Sequence, residues 1–271
     1  YPQYLRIARA MSGQSHRVMA IDNQWTGSFR QRAAQVLSSR WIRPYAEAAF
    51  VPGRRQREFA SRLGFTPSAI YPGLYSCDPA LFAPSSYLEP DAPFVFVGRL
   101  IDAKGLPTLL RAYSRYRQAT KSPRGLRVVG NGPLSGRVEA MDGVQRLGFV
   151  APENIPDVLS HSHAFVLPSV HEPWGVAIHE AAASGLPLIA TTACGASDAF
   201  LTPPHNGWVL PASSEDALLR ALLEADSLSA DERLTMGDHS RLLSLRYTPD
   251  KWSETVLDIA AHIPSRWSGF Q

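Results

Sequence analysis

From Leu88 onward, short apolar runs alternate with longer stretches of helical spacing, a pattern that predicts parallel strands covered by helices. The expected strands are Phe94 to Val97, Leu126 to Val129, Gln145 to Leu147, Ala164 to Leu167, Leu188 to Thr191 and Gly207 to Leu210. Helices are expected near Leu106 to Tyr116, Ile155 to Ser160, Val176 to Ser184 and Glu215 to Ala225, which together describe a doubly wound α/β domain. Upstream, Arg17 to Ile21, Ala48 to Val51 and Ser68 to Tyr71 read as strands of a second, smaller α/β unit. Pro79, Pro84, Pro90 and Pro93, with Ser85, Ser86 and Asp91 among them, resist helix and central strand and mark a linker. After Asp231 the pattern is helical to about Ile263, with Pro249 opening the last helix at its tolerated first turn. The expected organisation is therefore residues 1–85, residues 86–248, and a C-terminal helix over 249–271 that packs back towards the first domain.

Composition narrows the class. The 271 residues are 45% hydrophobic and 19% charged, enough to bury a core and unlike a disordered or collagen-like chain. Apolar stretches such as Ala164 to Leu167 or Leu186 to Ala190 fall far short of the roughly 20 residues of a membrane-spanning helix. Cys77 and Cys194 form no CxxC pair, which signals neither a disulfide framework nor a zinc ribbon and favours a reducing, cytoplasmic setting. The chain begins at Tyr1 in a stretch that reads as already structured, so an incomplete N-terminal domain is expected. Charge is unevenly placed: eleven arginines against Asp22, Glu47 and Glu58 give residues 1–62 a charge of +8, leaving −5 for the rest of a +3 chain. A basic first quarter suits an anionic membrane surface or a phosphorylated substrate. A solvated helix face in an arginine-rich sequence is the alternative, and 24 arginines against 3 lysines keep both readings open. No nucleic-acid partner is expected.

Ligands of open parallel sheets sit beyond the carboxyl ends of the strands, so the segments after each expected strand hold the candidate chemistry. Gly98-Arg99-Leu100-Ile101-Asp102-Ala103-Lys104-Gly105 puts a guanidinium and an ammonium beside a helix start, a site for a doubly charged phosphate group unless both are solvent-facing loop charges. Gly130, Gly132 and Gly136 lie at relative positions 1, 3 and 7, whereas a dinucleotide fingerprint needs 1, 3 and 6, and Pro133 removes an N–H donor. The nicotinamide reading fails on that spacing. In Pro168 to Pro187, Pro173 suits a helix's first turn, Gly175 permits close approach of a ligand to the backbone, and Gly185 suits the exit. Glu172 and Glu180, read on one helix, stand about 12 Å apart, too far for the roughly 5 to 9.5 Å carboxylate pair of a glycoside hydrolase. They suit opposite ends of one extended, hydroxyl-rich ligand, or are plain surface acids. His161, His163, His171 and His179 cluster without an HExxH motif, and no GxSxG or GxxxxGK[ST] appears, so metal, serine-hydrolase and P-loop readings lack support.

The Glu-x7-Glu pattern in HEPWGVAIHEAAASGLPLIAT resembles the signature of family 4 retaining glycosyltransferases. The same family shows a Gly-Arg strand end followed by Lys-Gly, here Val97 to Leu100 and Lys104-Gly105, and a Gly-x-Gly-Pro turn, here Gly130 to Pro133. Leu147 to Val150 and Pro168-Ser169 match two further stretches, in order along the chain. The resemblance implies a GT-B fold of two Rossmann-like domains with parallel sheets, the first one incomplete here. It implies transfer of a sugar from a nucleotide-diphosphate sugar to a glycan or lipid-linked acceptor with retention, without a metal or a cofactor beyond the donor itself. Arg99 and Lys104 would neutralise the diphosphate, with Glu172 as the third catalytic residue, holding the donor sugar. Donor contacts would come from Gly98, Gly130, Gly132, Phe149, Val150, Ser169, Trp174, Gly175, Val176 and Glu180, the last on the ribose hydroxyls. Asp22, Asn23 and Trp25 would face the acceptor, and the expected location is cytoplasmic, peripheral at the inner membrane face through the basic N-terminal region. A nucleotide-sugar-binding chain without turnover and a nucleotide-sugar epimerase are the alternatives.

Overall fold

The computed structural model describes residues 2–11, 15–84 and 89–262. Residues 85–88 within the expected linker, and Ile263 with the rest of 263–271 at the end of the expected C-terminal helix, lie outside the described residues. The chain divides into two compact units, Tyr1–Ser76 with Pro249–Gln271, and Cys77–Thr248.

The first unit runs α1 (Pro2–Ala10), β1 (Val18–Ala20), α2 (Phe29–Trp41), β2 (Ala48–Val51), α3 (Arg54–Arg62) and β3 (Ile70–Pro72). Its three strands are parallel in the order β1-β2-β3, with Val18 opposite Ala48 and Ala49 opposite Ile70. The central strand β2 is apolar throughout and buried on both faces, as an alternating strand could not be. Ala49 and Val51 pack with Leu63, Phe65 and Ile70 on one side of the sheet. The strand expected at Ser68 begins later, at Ile70, because Pro67 starts a 3-10 turn over Pro67–Ala69.

The second unit runs β4 (Phe94–Val97), α4 (Leu106–Ala119), β5 (Leu126–Val129), α5 (Ser135–Glu139), β6 (Val144–Gly148), α6 (Ile155–Ser160), β7 (Ala164–Leu167), α7 (Val176–Ala183), β8 (Leu188–Thr191), α8 (Ser197–Phe200), β9 (Gly207–Leu210), α9 (Glu215–Asp226) and α10 (Ala230–Ser244). Its six strands are all parallel in the order β6-β5-β4-β7-β8-β9. The chain builds outward from β4 to β6, returns to the middle, and builds outward again from β7. The strand order therefore reverses between β4 and β7, which opens a crevice beyond their carboxyl ends. Phe94, Phe96, Phe165, Tyr113 and Tyr116 are fully buried beneath it. Tyr113 donates its hydroxyl to the Arg124 and Gly143 carbonyls, and Tyr116 accepts from the Arg124 N–H, so neither phenol is left unpaired in the core.

The division falls at Ser76/Cys77, ahead of the prolines. Residues just after it are tied into the second unit: the Cys77 N–H donates to the Tyr247 carbonyl and the Arg241 guanidinium donates to the Phe82 carbonyl. The helical stretch after Asp231 is two helices, because Pro249 disfavours helix in the residue before it. The second of them, α11 (Pro249–His262), belongs to the first unit, where Ile259 packs on Ala48 and Phe50 and Trp252 donates to the Leu74 carbonyl. Among the described residues no helix is long and apolar enough to cross a membrane.

Candidate functional site

Beyond the carboxyl edge of the six-stranded sheet, three loops interlock through their backbones. The Gly98 N–H donates to Val129, the Leu100 N–H to Asn131 and the Leu134 N–H back to Leu100, joining the loops after β4 and β5. Two glycines permit this approach: a Cβ on Gly130 would stand 2.0 Å from the Gly98 carbonyl oxygen, and one on Gly132 would stand 2.4 Å from that of Leu100. Gly105, in the left-handed region at φ +71°, likewise lies against Pro168, where a Cβ would stand 1.8 Å from the carbonyl oxygen. The Ala103 carbonyl accepts from both Val170 and His171, joining the loop after β4 to the loop after β7. The Gly195 and Ala196 N–H groups then hold the Glu172 and Trp174 carbonyls from the side of β8.

That scaffold brings Lys104 and Glu172 together across the crevice, Nζ on Oε2, although 68 residues separate them. Glu172 is only 8% exposed, and the Lys104 ammonium pairs with its carboxylate there. The pair spans the switch point, one member from each flanking strand. Glu172 lies in the loop before α7 and forms a bridge pair with Cys194; it is not on the helix that carries Glu180, which corrects the single-helix reading. Pro173 likewise precedes the helix, whose N-cap is Gly175 at φ +104°. A left-handed glycine there turns the chain sharply into α7, whose first turn presents its N–H groups at the start of the helix. Burial raises the carboxyl of Glu180 above the usual carboxylate range, the mark of an acid held partly away from water.

The remaining expected residues sort by what they touch. Arg99 is exposed after β4, with its side chain free to reach an anion. Gly98, Gly130 and Gly132 serve the loop packing, and the Gly130 N–H already donates to the Gly148 carbonyl. The Phe149 ring is 74% exposed beyond β6, with Val150 half-buried beside it. Ser169 is buried and its carbonyl accepts from the Thr191 hydroxyl. The Trp174 indole packs against Phe200 and Tyr247 in the core, so its backbone is what faces the turn. His163 and His179 are buried and donate their Nε2–H groups to the Ala225 and Ser244 carbonyls, and burial pushes each down to about 4. His179 also stacks on Phe200 at 4.3 Å. Both are core histidines. Among the described residues no group of three or more His, Cys, Asp or Glu could hold a metal ion. The contributions of Ala103, Thr191 and Gly195 escape sequence reading, since two act through backbone atoms and one through a buried hydroxyl.

In the first unit, Asp22, Asn23 and Trp25 follow β1. Asp22 accepts from the Tyr75 hydroxyl at 3.4 Å and its carbonyl accepts from Gln56. Trp25 packs on Phe59, and the Arg62 guanidinium lies 4.8 Å over its ring. Asp22 and Asn23 are exposed at this end of the three-stranded sheet, while Trp25 is half-buried.

Comparison with known proteins bears on both the sheet and the site. Residues 92–225 match the family described as glycosyl transferases group 1. Mannosylfructose-phosphate synthase of Agrobacterium fabrum is 31% identical over 134 residues, 44% of this chain and 30% of that protein. A phosphatidylinositol N-acetylglucosaminyltransferase polypeptide of Arabidopsis thaliana is 29% identical over 177 residues, 62% of this chain and 38% of that protein. The chain thus spans about a third of the length of the curated relatives it matches. Among solved structures, Anabaena HepE in complex with UDP superposes with a TM-score of 0.77 at 18% identity, covering 94% of this chain and 76% of that one. The pneumococcal O-GlcNAc transferase GtfA in complex with UDP and GlcNAc gives 0.74 at 18%, covering 95% and 55%. The fold is the GT-B type, with two Rossmann-like parallel sheets of three and six strands.

Proposed function

We propose that this chain binds a nucleotide-diphosphate sugar beyond the six-stranded sheet and transfers the sugar, with retention, to a glycan or lipid-linked acceptor. The observation that carries the proposal is the Lys104–Glu172 pair over the switch point, followed in the chain by the N-terminal turn of α7 and the partly buried Glu180 on that helix. The match to glycosyl transferases group 1 over residues 92–225 and the UDP held by two structural neighbours support it.

The chemistry follows from where charge grows. As the anomeric bond breaks, the leaving diphosphate gains negative charge, and Lys104, Arg99 and the N–H groups of Val176 and Ala177 neutralise it. A diphosphate takes Glu172's place on Lys104, which frees the Glu172 carboxylate to accept from a donor-sugar hydroxyl. Glu180 accepts from the ribose, and the base lies along the Leu147 to Val150 stretch with Phe149. The acceptor attacks the face the diphosphate leaves, and the departing phosphate takes its proton, so neither a protein nucleophile nor a metal is assigned a step. Acceptor contacts fall to Asp22, Asn23 and Trp25.

Calorimetric titration of UDP and GDP into the chain and its variants tests the site. Arg99→Ala, an exposed change, and Lys104→Ala each weaken the preferred nucleotide about 10- to 100-fold, as loss of a charge-assisted contact costs about 1 to 3 kcal/mol. Unchanged affinity in both variants removes the assignment. Tight nucleotide binding without release of nucleoside diphosphate from any sugar donor assigns the chain to binding alone.

A further inference from the structure

We infer that α2 of the first unit is a membrane-docking helix that lies on an anionic lipid surface. Which face of α2 points inward is fixed by contacts: Ser38 is buried and donates to the Leu63 carbonyl, while Ala34 and Ile42 pack against the core of the unit. At 100° per residue, Phe29, Arg32, Val36 and Arg40 then share an arc of about 80° on the opposite side, with Arg30, Leu37 and Trp41 along one flank. Phe29 is 87% exposed, Val36 78% and Trp41 62%, so this face presents large apolar side chains to solvent. Helices that pack on protein bury such residues; here they stand between arginines.

Charge decides the partner. Residues 23–46 contain no Asp or Glu, and Arg30, Arg32 and Arg40 carry the helix's only formal charges. An all-cationic face repels a second copy of itself, and its apolar bulk suits no phosphodiester backbone. Aromatic and aliphatic side chains at headgroup depth, with arginines reaching lipid phosphates, satisfy both features at once. The 13-residue helix, about 20 Å long, gives one footprint in the interface plane rather than a span.

Vesicle co-sedimentation tests this without any nucleotide, so its failure leaves the donor-site reading standing. The full chain is mixed with phosphatidylcholine vesicles, and with vesicles in which about a third of the lipid is phosphatidylglycerol, at roughly 0.1 M salt. Binding is expected to be at least about tenfold tighter on the anionic vesicles, and to fall when salt is raised. The double variant Arg32→Glu/Arg40→Glu loses that preference, and Phe29→Ser/Val36→Ser binds about tenfold more weakly. All four positions are exposed, and an unchanged thermal melt confirms folding. Arg220→Glu, on the exposed face of α9, binds as the parent does. Equal binding to both vesicle types, or parent-like binding by the arginine pair variant, overturns the inference. So does a parent dimer in sedimentation equilibrium that Phe29→Ser dissociates.

Discussion

The carboxyl edges of the two sheets are built in opposite ways. On the six-stranded sheet, loops after β4, β5 and β7 meet backbone to backbone, with Gly105, Gly130 and Gly132 pressed against carbonyls and a lysine–glutamate pair set above them. On the three-stranded sheet, loops are joined through side chains rather than backbone contacts: Tyr75 to Asp22, Gln56 to the Asp22 carbonyl, Arg62 over Trp25. A backbone-locked edge holds charged groups in one geometry before a ligand arrives, which is what an electrostatic site requires. A side-chain edge adapts, which suits recognition of a less uniform partner.

Glycine substitutions give the largest expected contrast. Gly130→Ala places a methyl 2.0 Å from the Gly98 carbonyl oxygen at φ +129°, and the second unit should lose more than about 4 kcal/mol of stability. Gly73→Ala, after β3, sits at φ +96° with nothing within 4 Å, and should cost only about 1 to 2 kcal/mol of backbone strain. Denaturant unfolding, with hydrogen exchange assigning each transition to its unit, measures both. Similar losses at the two positions would erase the distinction between the edges.

Acid separates the units next. His163 and His179 are buried neutral with folded values pushed down to about 4 from the usual 6.5. The unfolded chain therefore binds more protons between those values, and the stability these residues give is complete above about pH 6.5 and lost as pH falls towards 4. Between pH 7 and 5 each histidine should remove about 2 kcal/mol from the second unit. The described histidines of the first unit, His16 and His262, are exposed. Exchange-resolved stability at the two pH values reads the difference, with His163→Leu expected to flatten the second unit's profile. A parent profile as flat as that variant's contradicts the account.

How much of this the sequence discloses depends on whether the physics is local. The apolar runs at Phe94, Leu126, Ala164, Leu188 and Gly207 mark their strands to within a residue, because strands covered on both faces are mostly apolar, with Arg127 the charged exception in β5. Arg99, Lys104, Glu172 and Glu180 stand out as charges after strands. Their arrangement does not: the Lys104–Glu172 contact spans 68 residues and depends on the Ala103 carbonyl, which no side chain reports. Reading Glu172 and Glu180 on one helix misplaces the first, since helical spacing says nothing about where Gly175 starts the turn. The glycines of Gly130 to Pro133 read as a ligand loop, whereas their tightest constraint is the neighbouring carbonyls of Gly98 and Leu100. The prolines after Pro79 mark a linker, while long-range bonds from Tyr247 and Arg241 draw the unit boundary back to Ser76.

The smallest expected effect is the sharpest probe of the adaptable edge. Tyr75 and Asp22 share a long, exposed hydrogen bond of 3.4 Å, and burial together with the neighbouring Asp22 carboxylate holds the Tyr75 phenol above its usual range. Water replaces so exposed a bond readily, so Tyr75→Phe should change stability by less than about 0.5 kcal/mol. It removes no group from the six-stranded sheet, so UDP affinity by calorimetry should stay at the parent value. A loss above about 1 kcal/mol would mean that this hydroxyl fixes the loop after β1 as firmly as Gly130 fixes the loop after β5. The two edges would then differ in the atoms they use and not in their rigidity.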